Sequence, residues 1–327
     1  MTKDTIKAVF IEAHGGPEVF TLRDHKLPPP SAGEMRVRHS AIGLNFIDIY
    51  QRTGLYPVAM PAILGSEASG IVEAVGDGVD GFAVGDRIAY FATSGGYAQA
   101  ANVSAAIAAK IPDGVSDEAA AAVFLKGMTA EMLVRQVFVL SPDHACLIHA
   151  AAGGVGTLLC QWAKHIGART IAVVGTQEKA ATAKDNGADD VIIRTQTKSI
   201  SSDVRRLTDG RGVDVVYDSV GAATFQASLD ALAMRGHMVT YGNASGPVPA
   251  VEPLDLCRRG SITLTRPTLF HYATPERLPK MAATLFGLIV DGALKPKIGH
   301  RFALGEIAAA HKLLESGKSV GAIVLTP

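Results

Sequence analysis

Three closely spaced glycines and one polar loop carry the chemistry this chain can do. In His144–Lys164 a short apolar run, Ala145 to Ile148, is followed by Gly153, Gly154 and Gly156. Apolar residues at helical spacing come next: Val155, Leu158, Leu159, Trp162 and Ile166. A strand, a glycine turn and a helix in that order cradle the pyrophosphate of a dinucleotide. Gly153 lets the backbone approach a phosphate, and Gly156 lets the helix pack close to the strand. The helix start, with Gly154 and Val155, offers unpaired N–H groups and the positive end of the dipole. The register is Ala151-x-Gly153-x-x-Gly156, with alanine in place of the first glycine.

The polar loop is Ile42–Pro57, which reads as a loop and a short helix. If the dinucleotide is a hydride carrier, the reaction needs no protein nucleophile, but it needs hydrogen-bond donors for an acceptor oxygen on which charge develops. Asn45, Tyr50, Arg52 and Tyr56 are the catalytic candidates from this loop, and Lys126, before Gly127, is a further donor. Tyr50 and Tyr56 read equally as packed aromatics, Lys126 equally as a structural lysine, and the proton equally as one from water. Asp48 is expected to orient its neighbours, because an ionised carboxylate facing a developing oxyanion is unfavourable. No Ser-His-Asp or Cys-His constellation has convincing spacing, which argues against covalent catalysis.

The elements that must position these groups form two patterns. Up to about residue 110 the chain is β-rich and punctuated by glycine, with strands expected at 6–12 and at Met35–Ala41 and the rhythm of a small β-barrel. Ser116 opens a capped helix, and a second helix is expected from Thr129 to Leu140. Apolar strands then alternate with helices: Thr170–Val174, Asp190–Ile193, Val213–Tyr217, His237–Tyr241 and Ser261–Thr265, with helices at Glu178–Asn186 and Ala223–Leu232. This is the pattern of a doubly wound parallel sheet. Helices at Pro275–Asp291 and Leu304–Ser316 and a strand at Ala322–Leu325 follow. The expected class is α/β, with a Rossmann domain at 126–266 inserted into a barrel domain built from residues 1–125 and 267–327.

Composition narrows the setting. The 327 residues, 48% hydrophobic and 19% charged, suit a soluble globular protein of two domains, and the net charge of zero argues against nucleic acid or a membrane held by bulk electrostatics. No run approaches the ~20 apolar residues of a membrane span, and Met1–Lys7 lack the apolar core of a leader. Three widely spaced cysteines, Cys146, Cys160 and Cys257, suit buried thiols in a reducing cytoplasm.

Cofactor type is read from the strand after the glycine turn. Folds that prefer NAD place an acid at its end to hold the ribose 2′-hydroxyl. Here that strand ends in Gly175-Thr176, with Lys179 just beyond and Arg194 after the following strand. A missing acid and two cations favour NADPH, although Glu178 beside Lys179 weakens the case and each cation also reads as a solvated surface residue.

The chain resembles the medium-chain dehydrogenase/reductase superfamily and, within it, the quinone oxidoreductase and zeta-crystallin family. Asp143-His144-x-x-Leu147, Ala151–Gly156, Gln161 and Lys164 follow the family signature. His14–Val19, Ala41–Asp48, Arg52–Pro57, Phe124–Thr129, Val216–Gly221, Tyr241–Gly246 and Thr265–Leu269 look like bacterial members, so the resemblance covers nearly the whole length. It implies a GroES-like barrel plus a Rossmann domain with a cleft between them, and a homodimer. It also implies cofactor contacts from Asn45, Thr129, Asp218, Asn243, Ser245 and Arg266, and it places Arg194 where the family usually has a tyrosine.

Zinc-dependent members have a cysteine and a histidine where this chain has Asn45 and Ser66, so no zinc is expected. The activity implied is NADPH-dependent reduction of a quinone. Reduction of an α,β-unsaturated carbonyl and a non-catalytic, crystallin-like role in binding NADPH are the alternatives. Some relatives bind RNA, but the neutral charge and the lack of a basic aromatic stripe argue against that here.

Overall fold

The structure, a computed structural model, describes residues 5–327. Part of the segment read as lacking a leader therefore lies outside the described residues. The chain divides into two compact units. One comprises Met1–Met128, Thr274–Asp291 and Pro296–Pro327, and the other Thr129–Ala273 with Gly292–Lys295.

The first unit begins with strands β1 (Thr5–Ile11), β2 (Thr21–Lys26) and β3 (Glu34–Leu44). β3 is buried over most of its length and throughout its end, delivering Met35, Val37, Ile42 and Leu44 to the interior. Helix α1 (Phe46–Arg52) starts immediately after it. Then come β4 (Ala62–Ile63), β5 (Glu67–Val75), β6 (Arg87–Phe91), β7 (Ala100–Ser104) and β8 (Ala108–Lys110). The polar loop of the sequence thus comprises the end of β3, helix α1 and the turn that follows it, which carries Tyr56.

Helix α2 runs unbroken from Asp117 to Met132 and continues as a π-turn over Leu133–Val137. This corrects the expectation that a helix starts at Thr129: Thr129 lies deep inside α2. Gly127 does not break the helix, because the space its missing Cβ leaves is filled by Leu285, whose Cδ2 would lie 2.7 Å from such a Cβ.

The second unit is the alternating α/β pattern. Its elements are β9 (Ala145–His149), α3 (Gly154–Ile166), β10 (Arg169–Val174), α4 (Gln177–Asp185), β11 (Asp190–Ile193), α5 (Ile200–Leu207), β12 (Val213–Asp218), α6 (Phe225–Ala231), β13 (Leu232–Thr240), α7 (Pro253–Arg258) and β14 (Thr263–Thr265). The six strands are parallel in the order β11-β10-β9-β12-β13-β14. β9 sits inside the sheet and is buried along its whole length, which is why it reads as a continuous apolar run. The strand order reverses between β9 and β12, and parallel sheets bind ligands beyond the carboxyl ends of the strands at such a point. β14 begins two residues later than Ser261, because Gly260 (φ 100°) and Ser261 (φ 56°) form a left-handed turn.

The chain then returns to the first unit through α8 (Leu278–Val290), β15 (Ile298–Ala303), α9 (Ile307–Glu315) and β16 (Ala322–Thr326). β16 pairs antiparallel with the end of β3, completing a seven-stranded sheet in the order β15-β16-β3-β5-β6-β8, with β7 also on β3. A three-stranded sheet, β2-β1-β4, completes the unit's strands. Residues 267–273, read from sequence with the C-terminal part of the first domain, cluster with the second unit, where Arg266 Nη1 donates to Thr240 O at 3.2 Å.

Candidate active site

In the second unit the chain leaves β9 through Ala150 (φ 51°) and reaches Gly153, the N-cap of α3. A glycine N-cap offers no side chain to the first-turn N–H groups, which are left for an outside acceptor. A Cβ on Gly156 would run into the Ala150 carbonyl oxygen and lie 2.7 Å from Ala151 Cα, whereas one on Gly153 would lie 3.2 Å from Ala150 O. Gly156 is therefore required for α3 to approach the turn, and Gly153 less strictly. Gly154 and Val155 form the first turn itself. Lys164 and His165 close α3 at the negative end of its dipole. The cradle fits a dinucleotide pyrophosphate.

At the end of β10, a Cβ on Gly175 would meet nothing within 4 Å. Thr195 Oγ1 donates to Gly175 O at 3.0 Å, and the Arg194 N–H donates to Val174 O at 2.8 Å. Thr176 caps α4 by accepting from the Lys179 N–H. Lys179 is half-buried and burial lowers its pKa, while Arg194 is exposed. The four residues read from sequence as contacts for the adenosine end thus lie at the adjacent ends of β10 and β11, with the exposed Glu178 beside Lys179.

Asp218, expected to contact the cofactor, closes β12. It is fully buried, and its carboxylate accepts from the Val220 N–H (2.7 Å), the Gly221 N–H (3.1 Å), Thr224 Oγ1 (2.7 Å) and Ser228 Oγ (2.8 Å). Four donors occupy its lone pairs, so it shapes the loop after β12 rather than facing a ligand. Ser228 gives its one proton to Asp218, so His149 Nε2–H is the donor in the 2.9 Å contact between them. Buried His149 Nδ1 is then an acceptor that makes no hydrogen bond among the described residues.

The loop after β13 is stapled to the loop after β12. The Ser245 N–H and Oγ both donate to Val220 O (2.7 and 2.8 Å). The Asn243 amide, oriented to pair donors with acceptors, donates to Gly242 O (3.0 Å) and accepts from Arg266 Nη2 (3.2 Å). Asn243, Ser245 and Arg266 therefore stand together at the carboxyl ends of β13 and β14.

In the first unit Asn45 caps the start of α1 and Glu67 opens β5. Glu67 is fully buried; it accepts from Asn45 Nδ2 (3.0 Å) and the Leu125 N–H (2.7 Å) and is ion-paired with Lys126, itself 5% exposed. Glu67 brings Asn45 and Lys126 together. Lys126→Met is expected to leave this carboxylate buried without a counter-charge and to lower stability by about 3 kcal/mol or more. Urea unfolding measures this, and a loss below about 1 kcal/mol would show that the pair contributes little.

Tyr50 and Tyr56 meet edge to face with ring centroids 5.2 Å apart. Arg52, expected among the donors to a reacting oxygen, closes α1. It is 1% exposed, and its guanidinium donates to Gly15 O (3.1 Å), His311 Nδ1 (3.0 Å) and the Glu315 carboxylate. The last turn of α1 packs on α9, and Arg52 bridges the two.

Asp48 orients its neighbours, accepting from Ser66 Oγ (2.6 Å), Tyr97 Oη (2.8 Å) and the Asn45 N–H (2.9 Å). Burial pushes its carboxyl up to about 6, against the opposing pull of these donors and of Lys126. A carboxyl raised in this way contributes stability that is fully present below the ordinary aspartate pKa and is lost as pH rises through about 6. Asp48→Asn is expected to flatten the pH dependence of unfolding between pH 4 and pH 6.5 by up to one proton. Parallel slopes in the two proteins would contradict this.

Among the described residues no group of three or more His, Cys, Asp or Glu is arranged to hold a metal ion. At the positions where zinc-dependent relatives carry ligands, Asn45 and Ser66 are engaged with Glu67 and Asp48. No helix of the described residues is long and apolar enough to cross a membrane.

Comparison with known proteins gives two family profiles. Residues 31–113 match the alcohol dehydrogenase GroES-like domain, and residues 154–286 match the family described as zinc-binding dehydrogenase. A quinone oxidoreductase of Pseudomonas aeruginosa is 48% identical over 98% of this chain and 99% of that protein. The crystal structure of Escherichia coli quinone oxidoreductase complexed with NADPH superposes with a TM-score of 0.95 at 42% identity, covering 98% of this chain and all of that one. A 2-haloacrylate reductase from Burkholderia is 40% identical over 98% of this chain and 99% of that protein.

Proposed function

This chain belongs to the quinone oxidoreductase family of the medium-chain dehydrogenase/reductase superfamily, and from that premise we propose that it reduces a quinone with NADPH. The observation that carries the cofactor is the end of β10, where Gly175 leaves open space and Lys179 and Arg194 supply positive charge for a 2′-phosphate. The Gly153–Gly156 turn takes the pyrophosphate, and Asn243, Ser245, Arg266 and Thr129 line the remainder of the cofactor's path. Asp218 holds the loops in place.

When bound, NADPH supplies the hydride, and a proton from solvent completes the hydroquinone. Asn45 and Lys126, preset on Glu67, donate hydrogen bonds to the acceptor oxygen as charge develops on it. Tyr50 and Tyr56 give the acceptor ring an aromatic wall. Asp48 holds Asn45 by its backbone.

A homodimer is part of this reading. β14 is an edge strand paired only with β13, and next to it Met234 is 80% exposed, so a second copy's β14 can extend the sheet. A monomer in sedimentation at micromolar concentration would remove it. The buried free thiols Cys146 and Cys160 support a reducing, cytoplasmic location, whereas Cys257, expected to be buried, is exposed.

The identity to a 2-haloacrylate reductase favours a second acceptor class, unsaturated carbonyl compounds. A panel of benzoquinones, naphthoquinones, unsaturated aldehydes and 2-haloacrylates at saturating NADPH separates the two. Faster turnover of quinones supports the first reading, and turnover confined to the unsaturated carbonyl compounds replaces it with the second.

A further inference from the structure

A buried hydrogen-bond chain runs from α9 to the first turn of α1. Arg52 Nη1 lies 3.0 Å from His311 Nδ1. A guanidinium has donors only, so this nitrogen is an unprotonated acceptor. The ring's proton is then on Nε2, which must donate to Tyr97 Oη at 3.0 Å. Tyr97 accepts there and passes its own proton to Asp48 Oδ2 at 2.8 Å. The same oxygen receives the Asn45 N–H, and Asn45 Nδ2 reaches Glu67.

Every member of the chain is in the first unit. His311, Tyr97 and Asp48 are fully buried and Arg52 is 1% exposed. The charged groups facing the chain are Glu315 and Arg52 at one end and Glu67 and Lys126 at the other. Burial, with Arg52 alongside, takes the His311 pKa down to about 3, in keeping with a neutral ring. A chain that begins at a permanently charged arginine cannot relay protons through it, so its use is directional rigidity.

We propose that His311 is a positioning residue for quinone reduction: as the Nε2–H tautomer between Arg52 and Tyr97, it fixes Asp48 and through it the Asn45 cap of α1. The inference rests on the quinone reductase reading, and α9, which contributes none of the candidate donors, becomes part of the site's scaffold.

Two variants and one spectrum test it. His311→Leu is expected to lower kcat with a quinone about tenfold while the Kd for NADPH stays within about twofold. His311→Gln offers an amide oxygen to Arg52 and an N–H to Tyr97, and is expected to recover most of the loss. Tyr97→Phe keeps the ring against Phe20 and His311 but cuts the link, so it is expected to match His311→Leu in kcat and to carry the test if His311→Leu does not fold.

Wild-type kcat in Tyr97→Phe, or equal losses in His311→Leu and His311→Gln, would overturn the proposal. Nitrogen-15 NMR of labelled histidine reads the tautomer whatever the acceptor, and a protonated Nδ1 on His311 would overturn it as well. Absence of quinone turnover in the wild type, with the Nε2–H tautomer present, would fall on the functional reading instead.

Discussion

Gly156→Val is expected to bind NADPH at least about 100-fold more weakly than the wild type and to be less stable by about 2 kcal/mol. The cause is local and steric. A Cβ at this position runs into the Ala150 carbonyl oxygen and comes within 2.7 Å of Ala151 Cα, and backbone cannot rotate away as a flexible side chain can. The first turn of α3 must withdraw from the end of β9, and the N–H groups aimed at the pyrophosphate withdraw with it.

Gly156→Ala sharpens the argument, because in an ordinary helix it would gain roughly 1 kcal/mol of propensity. Here it is expected to destabilise, since even one carbon meets the turn. Gly153→Ala, facing the same oxygen at 3.2 Å, is expected to weaken binding by less than about tenfold. Fluorescence titration with NADPH and urea unfolding check all three. Undiminished binding by Gly156→Val would mean that the turn does not hold the pyrophosphate.

The second large effect concerns which nicotinamide cofactor is used. Gly175→Asp is expected to lower kcat/KM for NADPH about 100-fold or more, a cost of about 2.7 kcal/mol, and to raise that for NADH. The open space at the end of β10 admits the new side chain, and Gly175 is not in the left-handed region, so the fold tolerates the change. The carboxylate then sits where NAD-dependent folds hold the ribose 2′-hydroxyl, and it repels a 2′-phosphate. Gly175→Asn, similar in shape but uncharged, is the control and is expected to shift the preference far less. An unchanged preference in the aspartate variant would place the 2′-phosphate elsewhere.

How much of this was legible in the sequence depended on how far apart the interacting residues lie along it. Gly153, Gly154 and Gly156 sit within four residues of one another, and a missing acid at Gly175-Thr176 is visible as soon as β10 is recognised. The parallel sheet could be read because β9 and β10, buried on both faces, are runs of apolar residues. Arg52 could not be placed, since its partners His311 and Glu315 lie about 260 residues away and only the packing of α9 on α1 joins them.

Asp218 had the right residue type at the right strand end, but residue type does not count donors, and four of them turn it inward. Thr129 reads from the sequence as a helix start, but α2 continues through it, with Gly127 packed against Leu285 from a distant segment. The role of Glu67 likewise depends on distant segments. A lone glutamate becomes an organising residue only when the fold brings Asn45 and Lys126 to it.

The most direct test of the central claim is the ratio of kcat/KM for NADPH over NADH in the wild-type enzyme, measured with a quinone acceptor. An NADPH-specific quinone reductase, with Lys179 and Arg194 beside strand ends whose nearby acid is the exposed Glu178, predicts a ratio of about 100 or more, equivalent to two charge-assisted contacts of about 1.5 kcal/mol each. Equal rates with the two cofactors would contradict the account, because the positive end of β10 would then have no 2′-phosphate to hold.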